Sequence, residues 1–253
     1  LRVGDSVMSF AAGWQDYRVS SGEKVFAIDE RVAPATIWLS ALGTSGMTAW
    51  YGLREFGQPR PGDTALVSAA AGAVGSVAGQ IAKIQGCRVV GIAGGKAKCN
   101  YVTGELGFDA CVDYQSQDFA SLLADACPDG VDVYFENVGG AVRDAVWPMM
   151  NNHGRVIVCG LISEYNTTFE RGPTWFSILS KRLRLAGFIL SDRMDTRPAF
   201  LEDMSAWYAA GRIRVKEDIS EGLKSTPQAF IRMLTGKNFG KTIVRLEASS
   251  IQN

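Results

Sequence analysis

Six short β-branched or apolar runs recur along the middle of the chain: TALVSA (64–69), CRVVGIA (87–93), ACVDY (110–114), VDVYFENV (131–138), GRVIVCGLI (154–162) and LRLAGFIL (183–190). Their starts lie 21 to 29 residues apart. Helical spacing fills the gaps. In the first gap Val74, Val77, Ala78 and Ile81 fall at i, i+3, i+4 and i+7, one face of a helix, and Gly86 stands where that helix would stop. Further helices are predicted over 96–106, 117–126, 139–150 and 174–182, and a sixth near 197–211 opens at Pro198 and closes at Gly211. A hairpin needs only a tight turn, whereas parallel neighbours need a crossover helix. The spacing therefore predicts an α/β fold, a Rossmann-like doubly wound parallel sheet.

The flanks follow another pattern. RVGDSVMSF and GWQDYRVS, within residues 1–32, alternate polar with apolar and are broken by Gly and Asp, as short antiparallel strands would be. Residues 214–246 hold VKEDI, a helix near 226–235 and a last strand KTIVRLE. The two flanks are expected to meet as a second, mostly β unit, with boundaries at 1–42, 43–212 and 213–253. Each flank alone is short for an independent core, and Leu1 opens in the middle of a β pattern, so an N-terminal portion is expected to be missing.

Between the first strand and the first helix stands Ala70-x-Gly72-x-x-Gly75, a G-x-G-x-x-G pattern with alanine at its first glycine position. In that pattern the middle glycine lets a pyrophosphate approach the backbone, and the last lets helix and strand pack closely. The phosphates sit at the positive end of the helix, facing unbonded N–H groups. A methyltransferase also uses a glycine loop but has no need of the flanking β segments. An enzyme using NAD carries an acid about 20 residues further on, at the end of the second strand. Here that strand ends in GIAGGKAK, with Gly94 and Gly95 followed by Lys96 and Lys98. Small residues leave room for a 2′-phosphate and a lysine supplies its counter-charge, so NADP(H) is the expected cofactor.

Composition removes other classes. Lys plus Arg and Asp plus Glu each number 26, so there is no basic excess for nucleic acid. No run reaches the roughly 18–20 apolar residues of a membrane span, and the first residues lack a signal-peptide order, so a cytoplasmic protein is expected. The five cysteines (87, 99, 111, 127, 159) are odd in number and none stands in C-x-x-C spacing. The single histidine, His153, has no ligand partners nearby in sequence, so a metal is not expected.

The strings AAAGAVGSVAGQIAKIQGCRVVGIAGG, YFENVGG, VCGLISEYN and GKNFGKTIV resemble the zinc-independent medium-chain dehydrogenases/reductases, and among them the NADPH-dependent double-bond reductases. The resemblance runs from GDSV to KTIV. It implies a GroES-like catalytic domain, of which the flanks are a part, and a homodimer. It also implies site residues. Gly72, Ala73, Val74 and Gly75 would bind the pyrophosphate, and Lys98 with Tyr114 the 2′-phosphate end. Asn137 and the loop Cys159, Gly160, Leu161, Ile162, Ser163 and Tyr165 would line the nicotinamide ribose. Phe188, Ile189 and Leu190 would flank the nicotinamide, Thr48 would sit near its carboxamide, and Asn238 would reach over from the other domain.

The implied reaction is reduction of the C=C bond of an α,β-unsaturated ketone or aldehyde, with hydride delivered to the β-carbon. A hydrogen-bond donor aimed at the carbonyl oxygen then stabilises the developing enolate, and the tyrosine of the YN pair, Tyr165, would be that donor. The loop SDRMDTR lacks the tyrosine that some relatives carry there. A quinone oxidoreductase of the same superfamily and a non-catalytic NADPH-binding module are the competing readings.

Overall fold

The computed structural model describes residues 1–9, 13–166 and 172–246. In chain order its elements are β1 (Val7–Ser9), β2 (Val25–Ala27), α1 (Ala35–Trp38), α2 (Thr44–Tyr51, continued by a π-helical turn, Gly52–Gly57), β3 (Thr64–Val67), α3 (Gly75–Ile84), β4 (Arg88–Ala93) and α4 (Lys96–Gly104). There follow β5 (Ala110–Asp113), α5 (Phe119–Ala126), β6 (Val131–Glu136), α6 (Gly140–Val146), β7 (Met150–Val158), α7 (Trp175–Lys181), β8 (Arg184–Gly187), α8 (Arg197–Ala209), β9 (Glu217–Glu221), α9 (Thr226–Leu234) and β10 (Lys241–Arg245).

Six strands form one all-parallel sheet in the order β5-β4-β3-β6-β7-β8. The chain works outward from β3 to one edge, then returns to the centre and works outward to the other. The reversal lies between β3 and β6, where the strand ends leave a crevice. Both faces of the sheet are covered, so its central strands read as unbroken apolar runs rather than alternating ones. The alternation appears instead in which core each residue joins. Ala65, Val67, Val133, Phe135 and Ile157 enter one apolar cluster, while Leu66, Tyr134 and Val156 enter the cluster on the other face.

All six anticipated strands and their crossover helices are present. The differences lie at the boundaries. The helix expected to run to residue 150 stops at Val146 and passes through a 3-10 turn, Trp147–Met149, because Pro148 has no N–H to continue it. Strand β7 begins at Met150, ahead of the apolar run, and bulges at His153, an exposed residue with φ of 66°. Strand β8 ends at Gly187, so Phe188, Ile189 and Leu190 lie beyond the sheet.

The flanks contribute two separate two-stranded sheets: β1 with β2, antiparallel, and β9 with β10, parallel about the crossover helix α9. GWQDYRVS forms no strand within its described residues. The flanks touch where Trp14 meets Phe230 edge-on, ring centroids 5.6 Å apart. No helix among the described residues is long and apolar enough to cross a membrane.

Candidate functional site

A cleft of about 580 Å³ opens over the C-terminal ends of the central strands. Its floor is the turn from β3 into α3. Ala69 adopts a left-handed conformation, φ 50°, so the sharp bend falls one residue ahead of the alanine at the first glycine position. Ala70 is fully buried, and a Cβ on Gly91 of β4 would come within 2.8 Å of its methyl. Gly72 closes the turn with its N–H on Ala69 O at 2.8 Å. A Cβ on Gly75 would stand 2.4 Å from that same carbonyl, so only glycine lets α3 start this close to the strand. Val74 immediately precedes α3, and no side chain caps the helix's N-terminus. The Ser76 N–H is spent on Gly72 O at 3.0 Å, which leaves the other N–H groups of the first turn to meet an anion. Gly72 and Ala73 line the cleft, while Val74 packs toward the core.

The strand ends beside this turn are tied together by buried polar groups. Glu136, 2% exposed at the end of β6, accepts hydrogen bonds from Ser68 Oγ (2.8 Å), Tyr134 Oη (2.6 Å) and Val138 N (2.6 Å). Burial and then the adjoining Glu136 push the Tyr134 phenol well above its ordinary pKa. Asn137 binds Ser68 twice, through N–H to Oγ at 2.7 Å and Nδ2 to the carbonyl at 2.8 Å. One pair of strand ends is thereby locked across the crevice.

The loop after β7 is laid on this frame. Cys159 and Gly160 donate their N–H groups to Glu136 O, Ile162 donates to Asn137 O, and Ser163 binds Val138 O through both N–H and Oγ. Ile162 and Ser163 face the cleft. Burial raises the Cys159 thiol to about 12, with Glu136 adding to the shift, so it is no nucleophile. Glu164 fastens the loop to α6, accepting from Gly140 N (2.8 Å) and from Arg143 (2.6 Å). Tyr165 is 66% exposed, and its hydroxyl accepts the Leu161 N–H at 3.2 Å, beside Gly160. Accepting there leaves the phenolic proton to be donated.

The other wall comes from the C-terminal flank. Gly240 pairs with Gly72 as an isolated parallel bridge, bringing the segment before β10 across the glycine loop. Asn238 lines the cleft and holds the bend with Nδ2 on Gly240 O at 3.0 Å. At the far end Lys98 donates to Gly236 O at 2.8 Å, and burial lowers its pKa against the pull of Asp218. Tyr114 shares this corner, since a Cβ on Gly94 would come within 2.9 Å of its ring. Lys241 also enters the cleft. The residue is partly buried; its ammonium meets Ser45 Oγ at 3.4 Å, forms no ion pair with a carboxylate among the described residues, and desolvation lowers its pKa.

Not every expected residue reaches the cleft. Thr48 lies on α2 one turn beyond Ser45 and donates to Thr44 O at 2.7 Å. The Phe188 ring packs 5.4 Å from Tyr51 and 5.7 Å from Phe56, Leu190 leans on the same core, and Ile189 is 67% exposed. The sequence reading missed Lys241, Ser45, Ser68 and Glu136. A lysine opening an apolar strand and a glutamate closing one were the available signals.

The chain matches the model of a family described as zinc-binding dehydrogenase over residues 73–206. It is 46% identical over 250 residues to the NADPH-dependent curcumin reductase of Escherichia coli (strain K12), covering 96% of this chain and 72% of that protein. It is 40% identical over 247 residues to a 2-alkenal reductase (NADP(+)-dependent) of Nicotiana tabacum, with coverage of 96% and 72%. The solved structure of CurA from Vibrio vulnificus in complex with NADPH superposes with a TM-score of 0.87 at 45% identity, covering 93% of this chain and 72% of that one. The family description names zinc, but the described residues gather no set of three His, Cys, Asp or Glu side chains to hold it, so no step here is built on a metal.

Proposed function

The chain belongs to the zinc-binding dehydrogenase family, in its NADPH-dependent double-bond reductase subgroup, and from that premise we propose how its own residues serve the reaction. The protein is an NADP-dependent oxidoreductase that reduces the carbon–carbon double bond of α,β-unsaturated ketones and aldehydes. One observation carries the assignment of roles: a cleft fitted for a dinucleotide adjoins a loop whose tyrosine hydroxyl accepts one backbone N–H and keeps its proton.

The residues present suit the cofactor. The Gly75 position excludes any side chain, the start of α3 has no side-chain cap, and the partly buried Lys241 ammonium forms no ion pair with a carboxylate among the described residues. In this reading Gly72, Ala73, Val74 and Gly75 receive the pyrophosphate with Lys241 as counter-charge. Lys98 and Tyr114 hold the 2′-phosphate end. Asn137 and the loop from Cys159 to Tyr165 orient the nicotinamide ribose, with Asn238 closing from the opposite wall, Thr48 beside the carboxamide, and Phe188, Ile189 and Leu190 behind the ring. Bound NADPH supplies the hydride. Tyr165 donates its proton in a hydrogen bond to the substrate carbonyl oxygen, where charge collects as the β-carbon is reduced. The buried Glu136–Ser68–Asn137 frame keeps that loop in register, and the α-carbon takes its proton from solvent.

Residues 43–212 form the nucleotide-binding unit of this reading and both flanks belong to the catalytic unit, in a cytoplasmic homodimer. The outer edge of β8 carries exposed Leu185, and α7 just before it exposes Trp175, Phe176 and Leu179. An unpaired apolar edge of this kind invites a second copy. Sedimentation velocity at micromolar concentration should give a dimer, and a monomer alone would exclude it. The reaction is tested by following NADPH oxidation at saturating cofactor with a simple enone and with a benzoquinone. Faster turnover of the enone is expected. Turnover of the quinone alone overturns the assignment in favour of a quinone oxidoreductase.

A further inference from the structure

The loop that carries Tyr165 is anchored differently along its length. Its first half hangs on the strand ends: Cys159 and Gly160 donate to Glu136 O, and Ile162 donates to Asn137 O. Its second half turns back on itself. Glu164 N–H meets Leu161 O at 2.8 Å, and Leu161 N–H meets Tyr165 Oη at 3.2 Å. The tyrosine hydroxyl is thus held by the loop's own backbone, and where it points depends on what holds the turn as a whole.

The Glu164 side chain reaches from that turn to the opening of α6. One oxygen, Oε1, takes both the Gly140 N–H at 2.8 Å and Arg143 Nη1 at 2.6 Å. So close an approach needs glycine: Gly139 has φ of 79°, and a Cβ there would stand 2.7 Å from the same oxygen. Hydrogen bonds between charged groups are the strong kind. The Arg143 and Glu164 side chains are 11% and 20% exposed, so salt screens this pair far less than a surface pair. Asp144, a second carboxylate on Arg143 at 3.0 Å, is 58% exposed and contributes less.

The two sides of the contact differ in what else holds them. Helix α6 follows directly on the central strand β6, and Arg143 N–H returns to Gly139 O at 3.3 Å. Residues 161–165 lie in no helix or strand. Breaking the contact therefore frees the turn and leaves the helix where it is.

We propose that Glu164, through Arg143 and Gly140, is the positioning residue that keeps the Tyr165 hydroxyl aimed at the substrate carbonyl. Glu164 acts through the loop and moves no proton. The inference rests on the reading of Tyr165 as the donor. A donor is worth its full effect only in the right place, and a misplacement of about 1 Å can cost about a hundredfold in rate.

The test measures kcat and KM for a simple enone, and Kd for NADPH, in Glu164→Ala and Glu164→Gln, each alone and combined with Tyr165→Phe. Glutamine keeps an oxygen for both donors, and alanine keeps none. Glu164→Ala should lower kcat by about 5- to 50-fold, with little change in the Kd for NADPH. Glu164→Gln should recover most of that turnover. In the Tyr165→Phe background the alanine change should cost nothing further, because no hydroxyl is left to place. Arg143→Met leaves Glu164 the Gly140 N–H and should give a smaller loss with the same dependence on Tyr165. Melting temperatures show which variants fold, and if Glu164→Ala does not, Arg143→Met carries the comparison. Equal falls in kcat with and without the Tyr165 hydroxyl would mean a general disturbance and overturn the proposal. Gly139, Ala141 and Val142 line the cleft. Weaker NADPH binding at normal kcat would therefore make Glu164 a support of the cleft wall, and this too overturns it. Normal kcat in Tyr165→Phe refutes the donor reading and the proposal with it. A slow Tyr165→Phe beside a Glu164→Ala of normal kcat refutes the proposal alone.

Discussion

Replacing Lys241 with methionine separates two effects of one partly buried charge. Without cofactor the ammonium meets only Ser45 Oγ among the described residues, at 3.4 Å, and burial lowers its pKa from the ordinary 10.5. The unfolded chain therefore binds the proton more tightly than the folded one. The penalty is full below the lowered folded pKa and vanishes as pH rises through 10.5, so the residue's contribution to stability improves with pH across that window. Methionine is similar in length and carries no charge. At pH 7 it should raise the stability of the cofactor-free protein by about 0.5–2 kcal/mol, the usual gain when a functional-site residue is relieved. A gain of 1 kcal/mol corresponds to about 2–4 °C in Tm for a chain of this size. For the bound state the sign reverses. Opposite unit charges about 4 Å apart at an effective dielectric near 20 attract by about 4 kcal/mol. An open cleft screens part of this, leaving a loss of about 1.4–2.8 kcal/mol, or ten- to a hundredfold in Kd for NADPH. Fluorescence titration reads the second effect, and thermal melting without cofactor between pH 7 and 10.5 reads the first. Lys241→Arg should retain most of the affinity. Unchanged binding in the methionine variant would refute the role of the charge, and a lower cofactor-free Tm would refute the argument that it lacks a counter-ion.

Tyr165→Phe should lower kcat for an enone by about 10- to 1000-fold, the scale of losing one oxyanion-type donor, with little change in NADPH affinity. Normal kcat would end the case for Tyr165 as the donor, and weaker cofactor binding with normal turnover would make it a ribose contact. Lys98→Ala should shrink a preference for NADPH over NADH that is expected to be at least about tenfold, roughly 1.4 kcal/mol, in the parent protein; equal affinities in the parent would refute the 2′-phosphate assignment. Gly75→Ala sets a methyl 2.4 Å from the Ala69 carbonyl, a backbone atom that cannot swing aside. It should destabilise the protein by about 1–3 kcal/mol, read as a lower urea midpoint, and an unchanged midpoint would show that the turn yields.

The sheet was legible because its signal is local and repeated: each apolar run and each helical face sits in one contiguous stretch, as with Val74, Val77, Ala78 and Ile81. The glycine loop was legible for the same reason, although the left-handed residue proved to be Ala69, which no rule for glycine would select. What escaped depends on contacts between distant positions. Glu136 could be read as a polar strand end, but not as the acceptor for Ser68, which lies 68 residues earlier. Lys241 could be read only as the first residue of the last strand, because Ser45, which it meets, lies 196 residues away. The flanks lacked long periodicity, so the pairing of their strands into two small two-stranded sheets could not be read from composition.

The bridge between Gly72 and Gly240 also bears on the order in which this protein becomes functional during synthesis. The strands β3 to β8 are complete at Gly187, and domains generally begin to fold as they emerge from the ribosome. The cleft's second wall arrives about fifty residues later, a delay of several seconds at about 5–20 residues per second. Until Gly240 and Lys241 have cleared the exit tunnel, the nascent sheet offers the dinucleotide only half of its site. Cofactor cannot then serve as an early template for folding. It acts instead as a late ligand that secures a chain already threaded back to its own glycine loop.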